Sequence, residues 1–218
     1  MITISAVDGG LATFGLTTIR TDGAVIECID ADTFSTVPMT TKRELLSVDR
    51  MRRARELAGW LEGKMVTLDP NMLAGEAMSF PRGHNTVVCI ALAAGVVAAV
   101  LESRGLDMAT ALPMKWRKVL VAGGNEEKAH AVAIARVPSY KAFDARIPDK
   151  MRAHARDALG VAVWSLSTTA VQWMIRKSNP AQCQCTCCMS AVHPPFIVVC
   201  TCRGRGVCIH PMEYGGKP

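Results

Sequence analysis

Aromatic residues are scarce in this chain, with five Phe, four Trp and two Tyr among 218 residues. Its core must therefore be assembled from Ala, Val, Leu, Ile and Met. Long apolar runs are also missing. The longest, Val87 to Leu101, has fifteen residues, short of the ~20 needed to span a bilayer, and its Ala/Gly richness is that of a buried helix. Met1 leads directly into a strand-like pattern without a charged leader, so a cytoplasmic protein with no membrane partner is expected. Cysteine is sparse over most of the chain: Cys28 and Cys89 lie in core-like patterns and read as plain hydrophobes in a reducing compartment. The other seven crowd into the last forty residues. Half the residues are hydrophobic and 20% are charged, which excludes a disordered chain. The net charge of +6 permits a polyanionic partner such as nucleic acid without requiring one. This length fits one domain with an appendage, here residues 1–178 followed by a Cys-rich tail, 179–218.

Along the chain, Ile2–Val7 and Phe14–Ile19 read as two strands joined at Asp8-Gly9-Gly10, and Ala24–Ile29 as a third completing a meander. A polar loop over 32–43 leads to a helix from Glu44 to Glu62, with Leu46, Met51, Ala54, Leu57, Ala58 and Leu61 at helical spacing. Arg50, Arg52, Arg53 and Arg55 surround that stripe and read as a solvated face, with a DNA contact as the alternative. Met65–Leu68 and the segment around Leu73 suggest strand ending near Glu76. Asn85 is a candidate N-cap for a helix over 86–104, apolar nearly all round and so expected to be covered on several sides. Ala91, Ala94, Gly95 and Ala98 give that helix a small-residue face suited to close approach, in the core or across a dimer. A strand near 109–112 precedes the basic cluster Lys115–Lys118, then Gly123-Gly124 and a short helix through Arg136. Pro148-Asp149 opens a last helix running to about Lys177. The order β-β-β-α-β-α-β-α-α predicts an α/β fold, a mixed sheet flanked by helices.

Asp8 ends an apolar strand where two glycines leave room for a ligand. Asp-Gly is also a common hairpin turn, so Asp8 alone reads equally as a turn residue. Its significance comes from Glu76 at the end of the fourth strand and from His154 and Asp157, three apart and on one side of the last helix. All these termini can lie at one end of a single sheet. Three acids and a histidine can hold two divalent ions ~4 Å apart, an arrangement suited to in-line attack on a phosphodiester. Exposed cations flanking Gly123-Gly124, namely Arg117, Lys118 and Lys128, suit phosphate contacts; Lys128 could equally be a solvated residue.

These segments together resemble the RuvC family of Holliday junction resolvases, of the RNase H-like superfamily. The resemblance rests on Asp8-Gly-Gly with Gly15, Glu76 followed by Ser79-Phe-Pro-Arg82, the stretch Val119–Lys128, and His154-x-x-Asp157-Ala-Leu, in the family's order over residues 1 to about 176. It implies an RNase H-like mixed five-stranded sheet, with Asp8, Glu76, His154 and Asp157 as catalytic metal ligands. It also implies two Mg²⁺ per site (with Mn²⁺ able to substitute), branched DNA as substrate and a homodimer making paired nicks. Arg117 with Lys118, and Lys128, match positions that contact the DNA backbone. Phe80 lies one place past the family's base-stacking aromatic, and could instead anchor the Phe-Pro turn. The Ser-Phe-Pro-Arg variant and the tail point to a divergent member of a kind a phage could encode, whose compartment would then be the host cytoplasm. A flap or fork nuclease, or a DNA-binding protein that has lost catalysis on the same fold, are the alternatives.

The tail carries Cys-x-Cys and Cys-Cys pairs at irregular spacing. A tetrahedral Zn²⁺ site could draw on Cys187, Cys200, Cys202 and Cys208; a thiol-rich extension without metal is the competing reading.

Overall fold

The computed structural model describes residues 1–39, 46–77 and 83–178, with the backbone of two short paired strands at Cys200–Thr201 and Val207–Cys208. The main sheet has five strands: β1 (Ile2–Gly9), β2 (Thr13–Thr21), β3 (Ile26–Ser35), β4 (Met72–Glu76) and β5 (Met108–Ala111). Their order is β3-β2-β1-β4-β5. The meander β1-β2-β3 is antiparallel, while β4 and β5 add parallel to β1, each after a helical crossover. This is the expected mixed five-stranded sheet.

Strand alternation divides the core into two layers. Ile2, Ile4 and Ala6 of β1, with Met72 and Ala74 of β4, pack beneath α6 (Asp149–Ser165), together with Trp116, Leu159 and Ala162. Val7, Phe14, Leu16 and Leu73 face the opposite way, onto Leu57, Leu61, Ala93 and Val97. That second layer comes from α1 (Leu46–Leu68) and α2 (His84–Arg104). The same parity carries Asp8 and Glu76, the next even positions after Ala6 and Ala74, to the α6 face.

Four sequence readings are corrected. Met65–Leu68 form no strand; they are the last turn of α1, because Met65 continues the buried stripe of Leu57 and Leu61 at i,i+4 spacing. Asn85 is not an N-cap: Gly83 occupies that position, and Asn85 Oδ1 instead accepts from Arg50 Nη2 at 2.9 Å. The last helix is two, since α6 ends at Ser165 and α7 (Thr169–Ser178) leaves at 69°. Arg53 is buried rather than solvated, donating from Nε to Thr36 Oγ1 at 2.7 Å, and Arg52 ties Asp49 to the Val37 carbonyl.

Helix α2 departs most from expectation. Only Ala93, Val97 and Val100 are buried, while Ala91, Ala94, Gly95, Ala98 and Ala99 are exposed. By length and composition it is apolar enough to cross a membrane; one face packs on α1 and the sheet.

The basic cluster forms a helix of its own, α3 (Pro113–Leu120), and Asn125 caps α4 (Glu126–Arg136) by accepting from the Lys128 N–H. A 3-10 turn over Pro138–Tyr140 and the short α5 (Lys141–Asp144) lead into α6.

Candidate active site

The site is built where β1 and β4 end. Val7 pairs with Gly75 in the parallel register, so Asp8 and Glu76 leave adjacent strands side by side. The helix above them is held by two features of β2. A Cβ on Gly15, the β2 partner of Asp8, would strike the α6 backbone at His154 and Ala155. Only glycine permits that approach. Two residues on, Thr17 Oγ1 donates to the Ala155 carbonyl at 2.9 Å in the buried interface. Together these bring the first turns of α6 down over the strand ends, and His154 Nδ1 donates to Asp8 Oδ2 at 2.8 Å. Three residues later, at Asp157, α6 presents its carboxylate to the same face.

Charge is concentrated there in little water. Asp8 is 8% exposed and Asp157 9%. Burial, together with the facing Asp8 carboxylate, pushes the Glu76 carboxyl up to about 8. The hydrogen bond to Asp8 raises the His154 imidazole above its ordinary 6.5. Two carboxyl groups facing each other in little water disfavour joint ionisation, and a divalent cation would favour the ionised form of both. An oxygen-rich donor set with one imidazole fits Mg²⁺ or Mn²⁺. Asp8, Glu76, His154 and Asp157 together line one cavity of about 570 Å³, whose opposite wall is Ile90, Ala94, Val97 and Ala98 of α2.

Trp116, Glu126 and His130 also belong to this neighbourhood, although the sequence reading gave them no role. Trp116 Nε1 donates to Glu76 Oε1 at 2.9 Å, and His130 Nε2 donates to Asp157 Oδ1 at 2.8 Å. Donor atoms of Glu126, His130 and Asp157 lie within 4.8 Å of one another. The i,i+4 spacing of Glu126 and His130 at the start of α4 was the available signal.

The basic residues separate into two kinds. Arg117 turns inward: its Nη2 lies 2.8 Å from Glu126 Oε2 and 3.7 Å from Asp157 Oδ1, with the guanidinium 5.2 Å from the centre of the Trp116 ring. Lys118 and Lys128 are exposed beside Gly123-Gly124. Phe80 and the side chains of Cys187, Cys200, Cys202 and Cys208 lie outside the described residues.

Comparison with known proteins bears on the family and the fold. Residues 4–165 match the family described as crossover junction endodeoxyribonuclease RuvC. Among solved structures, the chain is similar to the Thermus thermophilus RuvC in complex with Holliday junction substrate, with a TM-score of 0.59 and 18% identity. The match covers 75% of this chain and 92% of that one. A second Thermus thermophilus RuvC structure gives a TM-score of 0.58 at 17% identity, again over 75% and 92% of the two chains. No curated protein matches the chain in sequence.

Proposed function

The chain belongs to the RuvC family of crossover junction endodeoxyribonucleases, and on that basis we propose that it resolves four-way DNA junctions by paired, Mg²⁺-dependent nicks as a homodimer. One observation carries the reading: two facing carboxyl groups, the buried Asp8 and the half-buried Glu76, leave adjacent parallel strands beneath the His154 and Asp157 turns of α6. Asp8, Glu76, His154 and Asp157 are assigned as the catalytic metal ligands. Divalent ions held there would activate a water for in-line attack and offset charge on the leaving oxygen. His154 contributes nitrogen to such a site once its imidazole has given up the proton that the Asp8 contact favours. Lys118 and Lys128 hold the DNA backbone from the rim of the site. Arg117, paired with Glu126, reaches a phosphate by exchanging that surface partner. Phe80 is assigned to base contact.

Residues 1–178 form the catalytic unit in this reading, with 179–218 as a separate Cys-rich extension that is a candidate for Zn²⁺. The exposed small-residue face of α2 supports the dimer, because it offers an apolar surface beside each active site and a two-fold axis would pair two such sites. The test is incubation of mobile and fixed four-way junctions, flaps and linear duplex with Mg²⁺, comparing wild type with Asp8→Asn. Symmetric nicking of junctions, abolished in Asp8→Asn, is expected. Cutting of flaps in preference to junctions would move the assignment to a fork nuclease, and absence of metal-dependent nicking on every substrate would end the enzyme assignment for this chain.

A further inference from the structure

Two of the acids at the site are each held by an aromatic ring, and the two rings are stacked on one another. Trp116 on α3 is fully buried and donates its indole N–H to Glu76 Oε1 at 2.9 Å. His130 on α4 is 8% exposed and donates from Nε2 to Asp157 Oδ1 at 2.8 Å. The ring centroids are 6.2 Å apart and the planes incline by 17°. The seat for this pair is cut into α6. At Gly160, a Cβ would collide with the six-membered ring of Trp116, and Gly160 lies three residues after Asp157 on the same helix face. The strand end bearing Glu76 and the helix bearing Asp157 are thus joined through one rigid aromatic unit.

We propose that Trp116 and His130 are positioning residues, a stacked pair that fixes the Glu76 and Asp157 carboxylates in the orientation that receives a divalent cation. The inference rests on the metal-site reading given above. Each ring engages one oxygen of its carboxylate and leaves the other for a metal. A carboxylate free to rotate would lose that preorganisation, and outer hydrogen-bond partners of this kind commonly change metal affinity tenfold or more. A purely packing role needs neither N–H: apolar side chains of the same shape would fill the space while leaving both acids without their donors.

The test is Mn²⁺ binding to the full chain without DNA, by calorimetry and by electron paramagnetic resonance of the free ion. Wild type and Asp8→Asn are compared with Trp116→Phe, His130→Leu, His130→Gln, and a protein carrying benzothienylalanine at position 116. That analogue keeps the shape of indole and lacks the N–H, so it separates loss of the donor from loss of packing. Affinity is expected to fall about tenfold in the two Trp116 replacements and in His130→Leu, and to stay within about threefold of wild type in His130→Gln, whose amide restores a donor. Wild-type affinity in a cooperatively melting benzothienyl protein would overturn the Trp116 assignment. Equal losses in His130→Gln and His130→Leu would overturn the His130 assignment, since the imidazole itself would then be a ligand. If wild type and Asp8→Asn bind Mn²⁺ alike, the metal-site reading itself fails and takes this inference with it.

Discussion

Raising the pH should destabilise the metal-free protein, and Mg²⁺ should reverse that effect. In the folded chain burial and the Asp8 carboxylate hold the Glu76 pKa at about 8, against 4.5 for an unperturbed carboxyl. Between those values the folded state binds a proton that the unfolded state has lost, so stability falls as pH rises. His154 acts in the same direction. Its pKa is raised by the Asp8 hydrogen bond, so the stabilisation it contributes is full below 6.5 and disappears as pH climbs through the higher folded value. From pH 6 to 8.5 the Glu76 contribution alone integrates to about 2.5 kcal/mol at 1.36 kcal/mol per unit. Screening at a site that opens to solvent reduces this to about 2 kcal/mol. For a domain of this size that is roughly 4–8 °C in Tm. The assay is thermal unfolding at both pH values, with and without Mg²⁺, for wild type and Glu76→Gln. The Gln amide oxygen can still accept from Trp116 but does not titrate. Wild type should lose roughly 4–8 °C more than Glu76→Gln on going to pH 8.5. Mg²⁺ should restore most of that loss at pH 8.5 and little at pH 6, where binding must first expel protons. Identical pH responses in the two proteins would refute the reasoning.

Gly15→Ala places a methyl group against the α6 backbone, which cannot yield as a side chain would. It should cost about 1–3 kcal/mol by denaturant unfolding and reduce junction cleavage further than that loss of stability explains. Lys118→Ala and Lys128→Ala should each lower the slope of log K against log salt for junction binding by about one, without changing cleavage at saturating DNA; an unchanged slope would return both lysines to the solvated surface. Ala91→Arg with Gly95→Arg, both exposed on α2, should convert a dimer in light scattering to a monomer with an unaltered circular dichroism spectrum. A wild-type protein that is monomeric at micromolar concentration would remove α2 from that role.

The four proposed ligand positions were legible because each lies near the terminus of a strongly patterned element. Alternation in β1 and β4 gives Asp8 and Glu76 the same parity as Ala6 and Ala74, so both must emerge on the α6 face. Spacing of three in α6 puts His154 and Asp157 together. What failed was local preference overruled by packing. Val66 and Thr67 have strand-like side chains, yet they stay helical because Met65 has a place in the stripe of Leu57 and Leu61. Helix α2 misled in the opposite sense: apolar residues all round read as core, whereas much of the surface they form is open. Hydropathy states that a face avoids water and is silent about which surface covers it.

Trp116 and His130 escaped notice for a different reason, and it bears on how the site works. Nothing in Lys115-Trp-Arg-Lys118 or Lys128-Ala-His130 relates the two rings, because they meet only where α3 and α4 converge behind α6. The one sequence feature that belongs to their contact is Gly160, a glycine within the apolar second half of α6 at the place where Trp116 needs its room. Gly160→Ala therefore probes the pair without touching either hydrogen-bonding group. The added methyl must displace the indole, since it meets the ring itself and not the end of a flexible chain. If the Trp116 N–H orients Glu76, Gly160→Ala should weaken Mn²⁺ binding as Trp116→Phe does, about tenfold. Combining the two substitutions should then add little, because the first has already broken the contact that the second removes. Fully additive losses would mean that Gly160 and Trp116 act on the site separately, and the ring pair would be packing alone.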